Sequence, residues 1–282
     1  MKLKFTKMHG CGNDYIFFDC IGGSMIDSPE NLCVRVSNRN TGIGGDGIVL
    51  MLPPASADAN ARMRMFNRDG SESAMCGNAI RCVAGYLFDN KIVTNPRMRI
   101  ETGSGIKELE VIHNNGSAVS VKVNMGNAEL RPEKIPVKLP GESIISRPIG
   151  IGGVQYRVTC VSMGNPHAVI FVDNVDKLDL RGIGPMFERD SLFPERVSTE
   201  IVQVINQNCI KMRVWERGAG ETMACGTGAC AAAVAAVLNG HCNLCTDIKV
   251  KLRGGDLIVN YTNETVIMTG DCNSVFTGEI AI

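Results

Sequence analysis

The feature that most constrains this chain's fold is that it repeats itself. Residues 62–78 (RMRMFNRDGSESAMCGN) align without a gap on residues 211–227 (KMRVWERGAGETMACGT), at an offset of 149 that places Cys76 over Cys225. Six of the seventeen positions are identical: Met63/Met212, Arg64/Arg213, Arg68/Arg217, Glu72/Glu221, Cys76/Cys225 and Gly77/Gly226. Arg62/Lys211, Phe66/Trp215 and Ser73/Thr222 are conservative pairs in the same register. A second pairing, GNDYIFFD from Gly12 and GNPHAVIFVD from Gly164, runs Gly-Asn, apolar strand, Asp in the same order. Self-similarity at a fixed offset marks a duplicated design. The chain is therefore expected to hold two pseudo-equivalent domains, each placing one cysteine at the start of its central helix.

Local patterns agree with an α/β fold. Short runs rich in β-branched and aromatic residues (YIFFD, GIVLML, AVSVKVNM, YRVTCVS, AVIFVD, IKVKL, DLIVNY, TVIMTG), bounded by Gly, Asn, Asp and Pro, read as strands and turns. SPENLCVRV opens a helix, with Ser28 as N-cap and Pro29 in the first turn. The alanine-rich segments after Cys76 and Cys225 suit helices. The second has no Asp, Glu, Lys or Arg from Thr222 to Thr246, so its helical part is expected to be enclosed on all sides. Helices enclosed by short strands predict two pseudo-symmetric domains, each a β-barrel-like sheet around a central α-helix.

The totals narrow the function classes. With 282 residues there is length for two ordinary domains. The 29 basic and 29 acidic residues balance, which leaves no electrostatic footprint for nucleic acid or an anionic membrane. The start, MKLKFTKMHGCGNDY, turns polar before a signal-peptide core forms, and the apolar run over residues 229–238 is far short of the ~20 residues a bilayer needs. A soluble, cytoplasmic protein is expected. The 12 cysteines, several of them inside apolar segments, read as reduced thiols. HCNLC at residues 241–245 lacks the second pair that a zinc site needs. GIGGDG at residues 42–47 follows a helix end and leads into a strand, the reverse of the dinucleotide fingerprint, and reads as a glycine-rich turn. No metal and no cofactor are expected.

The two cysteines carry the chemistry. A thiol at a helix N-terminus feels the positive end of the dipole, which lowers its pKa, and flanking glycines let backbone N–H groups approach an anion. Two such thiols facing one small substrate suit inversion of an α-carbon, with thiolate as base on one side and thiol as acid on the other. The carboxylate stays gripped as charge flows onto it. Asn13, Asn67, Asn165, Glu216 and Arg217 lie at strand ends or turns, where groups on a rigid frame point into a cleft. Arg and Glu beside a thiol would suit a substrate carboxylate and ammonium. Two buried helix-start cysteines without a role, or a redox pair, are the alternatives.

The set MHGCGNDY, GIGGDG, FNRDGSESAMCGNAIRC, VSMGNPHAVIFVD, FPERV and WERGAGETMACGTGAC resembles the diaminopimelate epimerase family, in this order and along nearly the whole chain. The resemblance implies two similar α/β domains that close over the substrate, residues 1–125 plus 269–282 carrying Cys76 and residues 126–268 carrying Cys225. It implies a homodimeric isomerase working without pyridoxal phosphate or metal. By resemblance Cys76 and Cys225 are the acid/base pair. Asn13, Asn67, Asn165, Ser198, Glu216 and Arg217 match substrate contacts, Gly77, Asn78, Gly226 and Thr227 the carboxylate-binding helix starts, and His167 a histidine near the site. CGNA argues against the related proline racemases. Two positions depart from the pattern: Gly47 stands where some members have Gln, and Ser198 where the family usually has an Asn that contacts the distal end of diaminopimelate. The expected reaction is interconversion of L,L- and meso-diaminopimelate, for lysine and cell-wall synthesis. The alternatives are a racemase of another amino acid, such as histidine, and a non-catalytic amino-acid-binding protein.

Overall fold

The computed structural model describes residues 2–23, 26–262 and 264–281. The chain divides into two compact units, residues 1–124 with 269–282, and residues 125–268.

The first unit contains β1 (Lys2–Gly10), β2 (Asn13–Asp19), α1 (Pro29–Val36), β3 (Gly47–Leu52), β4 (Ala61–Asn67), β5 (Glu72–Ser73), α2 (Gly77–Asp89), β6 (Arg97–Thr102), β7 (Gly105–Asn114) and β8 (Ser117–Asn124). The second contains β9 (Arg147–Ile151), β10 (Val154–Ser162), β11 (Pro166–Phe171), α3 (Leu180–Glu188), β12 (Ser198–Asn206), β13 (Cys209–Glu216), β14 (Gly220–Glu221), α4 (Gly226–Leu238), β15 (Asp247–Lys251) and β16 (Asp256–Tyr261). β17 (Val266–Asp271) runs across the boundary, and β18 (Asn273–Ala281) returns to pair with β1.

The two units repeat one pattern of pairing. In the first the sheet runs β18-β1-β2-β3-β4-β6-β7, antiparallel except for the parallel pairs β2/β3 and β4/β6. In the second it runs β9-β10-β11-β12-β13-β15-β16, antiparallel except for β11/β12 and β13/β15. The registers agree residue by residue. Tyr15 lies opposite Gly47 and His167 opposite Ser198, while Phe17 lies opposite Val49 and Val169 opposite Glu200. Phe66 pairs with Ile48 and Glu72, as Trp215 does with Thr199 and Glu221. Positions on these paired strands thus have counterparts in the other unit, including Tyr15/His167, Val49/Glu200 and Gly47/Ser198.

The central helices explain the sheets around them. α4 touches β10, β11, β12, β13, β15 and β16, and is buried from Gly228 through Ala236. Alanine, the strongest helix former, keeps the helix thin enough for strands to close on it from all sides. α2 is enclosed in the same way by β1, β4, β6, β7 and β8, with only Tyr86 and Asp89 reaching the surface. One of its residues is a buried cation: the Arg81 side chain is fully inaccessible, donating from Nε to the Asp271 carbonyl (3.0 Å) and from Nη1 to the Gly77 carbonyl (2.9 Å). On the outer faces α1 packs on β3 and β4, and α3 on β12 and β13. This is why β3 (GIVLML) is apolar throughout rather than alternating.

Ser28 precedes α1 as expected, without a capping hydrogen bond from its side chain. Composition did not point to α3 or to several of the charged strands. β4, for example, alternates buried Ala61, Met63 and Met65 with exposed Arg62 and half-buried Arg64, and only Phe66 adds an apolar residue on the charged face. The GIGGDG segment is a turn entering β3, as expected. Gly47 itself is required by close approach, because a Cβ there would lie 2.0 Å from the Phe66 carbonyl oxygen.

Candidate active site

In each unit a cysteine is the N-cap of the central helix, with extended backbone (φ −138° at Cys76, −123° at Cys225). The first-turn N–H groups of such a helix have no intrahelical acceptors and favour an anion. Gly77 and Asn78 open α2, and Gly226 and Thr227 open α4.

Cys76 lies beside a phenol and an amide. Its Sγ lies 3.7 Å from the Tyr15 hydroxyl and 3.8 Å from Asn13 Oδ1. Asn13 Oδ1 also accepts from Asn78 Nδ2 (3.2 Å), and Asn13 Nδ2 donates to Asp46 Oδ2 (2.6 Å). Because a carboxylate only accepts, Asp46 fixes which way the Asn13 amide faces. Asp14, beside it, is held below the usual carboxylate range by Arg39 and Lys7, against the opposing effect of burial. Asn67, the last residue of β4, donates through Nδ2 to Ser71 Oγ at 3.0 Å across its turn.

Around Cys225 the polar groups are ionisable. Its Sγ accepts from the Gly228 N–H (3.3 Å) and lies 3.4 Å from the Thr227 hydroxyl. Glu216, whose charge acts on this thiol, accepts a hydrogen bond from the Thr222 hydroxyl. Beneath them His167 and Glu200 are completely buried, with Nδ1 of the ring 2.7 Å from Glu200 Oε1 and Nε2 3.1 Å from Asn165 Oδ1. Burial raises the Glu216 carboxyl above its ordinary range, only partly offset by Thr222, Cys225 and His167.

The expectation that a helix-start thiol has a lowered pKa is overturned at Cys225. Burial pushes this thiol well above the usual range, and the charges of Glu216 and Glu200 push it further. Thr227 and the Gly228 N–H pull the other way and do not prevail.

Asn13, Gly77 and Asn78 gather around Cys76, while Asn165, His167, Glu216, Gly226 and Thr227 gather around Cys225. Arg217 is exposed, its Nη1 on the Glu195 carbonyl (3.0 Å) and its N–H donating to Ser198 Oγ (3.1 Å). The buried Ser198 hydroxyl thus anchors the backbone of Arg217. The two departures from the family pattern, Gly47 and Ser198, fall on counterpart positions of β3 and β12. Sequence reasoning missed Tyr15, Asp46, Arg81, Glu200 and Thr222. Tyr15 was within reach, since it aligns with His167 once GNDY is laid on GNPH. Glu200 was signalled by an acid within the apolar run of β12, and Arg81 by a cation inside an alanine-rich helix. Among the described residues no cluster of His, Cys, Asp and Glu could hold a metal ion, and no helix is long and apolar enough to cross a membrane.

The diaminopimelate epimerase family model matches residues 5–131 and 159–275. A diaminopimelate epimerase from Acetivibrio thermocellus is 52% identical over 280 residues, covering 99% of this chain and 98% of that protein. One from Methanococcus maripaludis is 49% identical over 282 residues, covering 99% and 100%. Among solved structures, a probable proline racemase from Agrobacterium radiobacter superposes with a TM-score of 0.72 at 15% identity, over 99% of this chain and 93% of that one. A phenazine biosynthesis protein of the PhzF family from Bacillus anthracis does so at 0.70 and 15%, over 100% of each. At such identities these two share the fold.

Proposed function

This chain belongs to the diaminopimelate epimerase family, and we propose that it interconverts L,L- and meso-diaminopimelate by a two-base mechanism using Cys76 and Cys225, without metal or pyridoxal phosphate. One thiolate takes the α-proton, the electron pair left on carbon spreads into the substrate carboxylate, and the opposite thiol returns a proton to the other face. The starts of α2 and α4 grip that carboxylate as its charge grows. Asn13, Asn67, Asn165, Ser198, Glu216 and Arg217 hold the remaining polar groups. His167 supports Asn165. Residues 1–125 with 269–282 form one catalytic domain, residues 126–268 the other, and the protein works as a cytoplasmic homodimer in lysine and cell-wall precursor synthesis.

The observation that carries this reading is the recurrence of a cysteine N-cap on an enclosed helix in two units whose strand registers match. A protein with one reactive thiol needs only one such setting. Ser198 in place of the family's Asn is the feature favouring a different amino acid, because serine is shorter and its hydroxyl is engaged by Arg217.

The test is α-proton exchange in D₂O followed by NMR, with L,L-diaminopimelate, L-histidine and L-lysine as separate substrates and both thiols kept reduced. Deuterium entering diaminopimelate together with appearance of the meso form is expected. Exchange with histidine alone would replace the reading by a histidine racemase.

A further inference from the structure

Glu200 is a fully buried carboxylate whose Oε1 hydrogen-bonds His167, while its Oε2 has no hydrogen-bond partner among the described residues. Such a group opposes folding, because a buried acid without full pairing loses hydration that nothing replaces. The titratable groups that face it come from four elements: Cys160 from β10, His167 from β11, Glu216 from β13 and Cys225 from α4.

The other unit shows that the fold does not need an acid here. Its counterpart on β3 is Val49, buried and apolar, in the same register against the neighbouring parallel strand. Two more positions change with it. Tyr15 stands where His167 does, and at the offset of 149 Ala79 stands where Gly228 does. Gly228 explains the third change: a Cβ there would lie 2.6 Å from Glu200 Oε1 and 3.2 Å from Cys225 Sγ. The start of α4 therefore accepts glycine, a poor helix residue, to make room for a carboxylate that the equivalent site lacks. The three residues form one built unit under Cys225.

Its internal logic is the proton between His167 Nδ1 and Glu200 Oε1. At 2.7 Å the two atoms share one, and this fixes the plane of the ring. The far nitrogen then meets the Asn165 amide at 3.1 Å. We propose that Glu200 is a positioning residue of the Cys225 half-site, acting through His167 to hold the ring and the Asn165 amide in the arrangement that substrate inversion needs. This rests on the reading of Cys225 and Asn165 as working on substrate.

The experiment compares wild type, Glu200→Gln, His167→Gln, their double variant, and the triple His167→Tyr, Glu200→Val, Gly228→Ala, which transplants the residues of the other unit. Diaminopimelate turnover and thermal unfolding are read for each. Glu200→Gln is expected to lower kcat by roughly ten- to a hundredfold, as loss of an imidazole's orienting partner does, with KM changed less than about threefold. The double variant should fall no more than about twofold below His167→Gln, because the two residues act as a unit. The triple should unfold at or above the wild-type temperature and still lose turnover, whereas a purely structural role would lower the Tm. A Glu200→Gln variant within twofold of wild type, or losses that multiply in the double, would overturn the proposal even if the triple does not fold. Wild type that fails to exchange the α-proton of diaminopimelate would instead remove the functional reading itself, and this proposal with it.

Discussion

The two thiols occupy the same place in two copies of one fold, yet their surroundings differ in kind. Cys76 is half-buried among a phenol and two amides, above a helix stiffened by an inaccessible cation, Arg81. Cys225 is buried against Glu216, with His167 and Glu200 beneath and no cation in its helix. A duplicated frame fixes where a side chain sits, but not the charge it meets. Geometry in this molecule is inherited by both halves, while the groups that surround each thiol are set separately by a few substitutions at counterpart positions.

The broadest way to break the comparison is to remove either thiol. Cys76→Ala and Cys225→Ala should each lower epimerisation by at least about 10³-fold, the upper range for losing a proton-transfer group, in the same α-proton NMR assay. Normal turnover by either variant would mean that only one half is chemically active. Next in size is Arg81→Met. It leaves the carbonyls of Gly77 and Asp271 without their donor and removes the positive partner of Asp271, so about 3 kcal/mol of stability should be lost in denaturant unfolding.

The charge difference has its own test. Because burial and two carboxylates raise the Cys225 thiol, its thiolate appears only as pH climbs above the usual thiol range. Labelling of the Cys225 peptide by iodoacetamide, followed by mass spectrometry, should accelerate only in that region. Glu216→Gln removes the larger of the two charge contributions and should move the rise to lower pH; an unmoved profile would mean that the Glu216 charge has no part in setting it. The smallest effect is expected at Ser198→Ala, which removes one acceptor from the Arg217 N–H, about 1 kcal/mol and a severalfold rise in KM.

Much of this was legible because duplication converts a fold problem into an alignment. Two cysteines, two Gly-Asn turns and two alanine-rich tracts are enough to locate both helix starts in the sequence. What stayed hidden lies in pairing between strands distant in sequence. Glu200 becomes meaningful only when β11 and β12 lie in parallel register, which sets it beside His167 and under Gly228, and no local pattern carries that information. The thiol pKa was misread for the same reason: the helix dipole follows from the sequence, but desolvation depends on everything packed around it.

The return of the chain's last segment to the first unit has a consequence in time. β18 pairs with β1 from Lys2↔Ala281 onward, and Arg81 finds its carbonyl partner at Asp271. A ribosome delivers residues 125–268 complete before it delivers either. The unit made first is therefore finished after the second, and Arg81 waits for its partner until residues 125–268 have all been made. Emergence of Asp271, rather than appearance of the first cysteine, sets the moment at which Arg81 in α2 gains its last carbonyl partner.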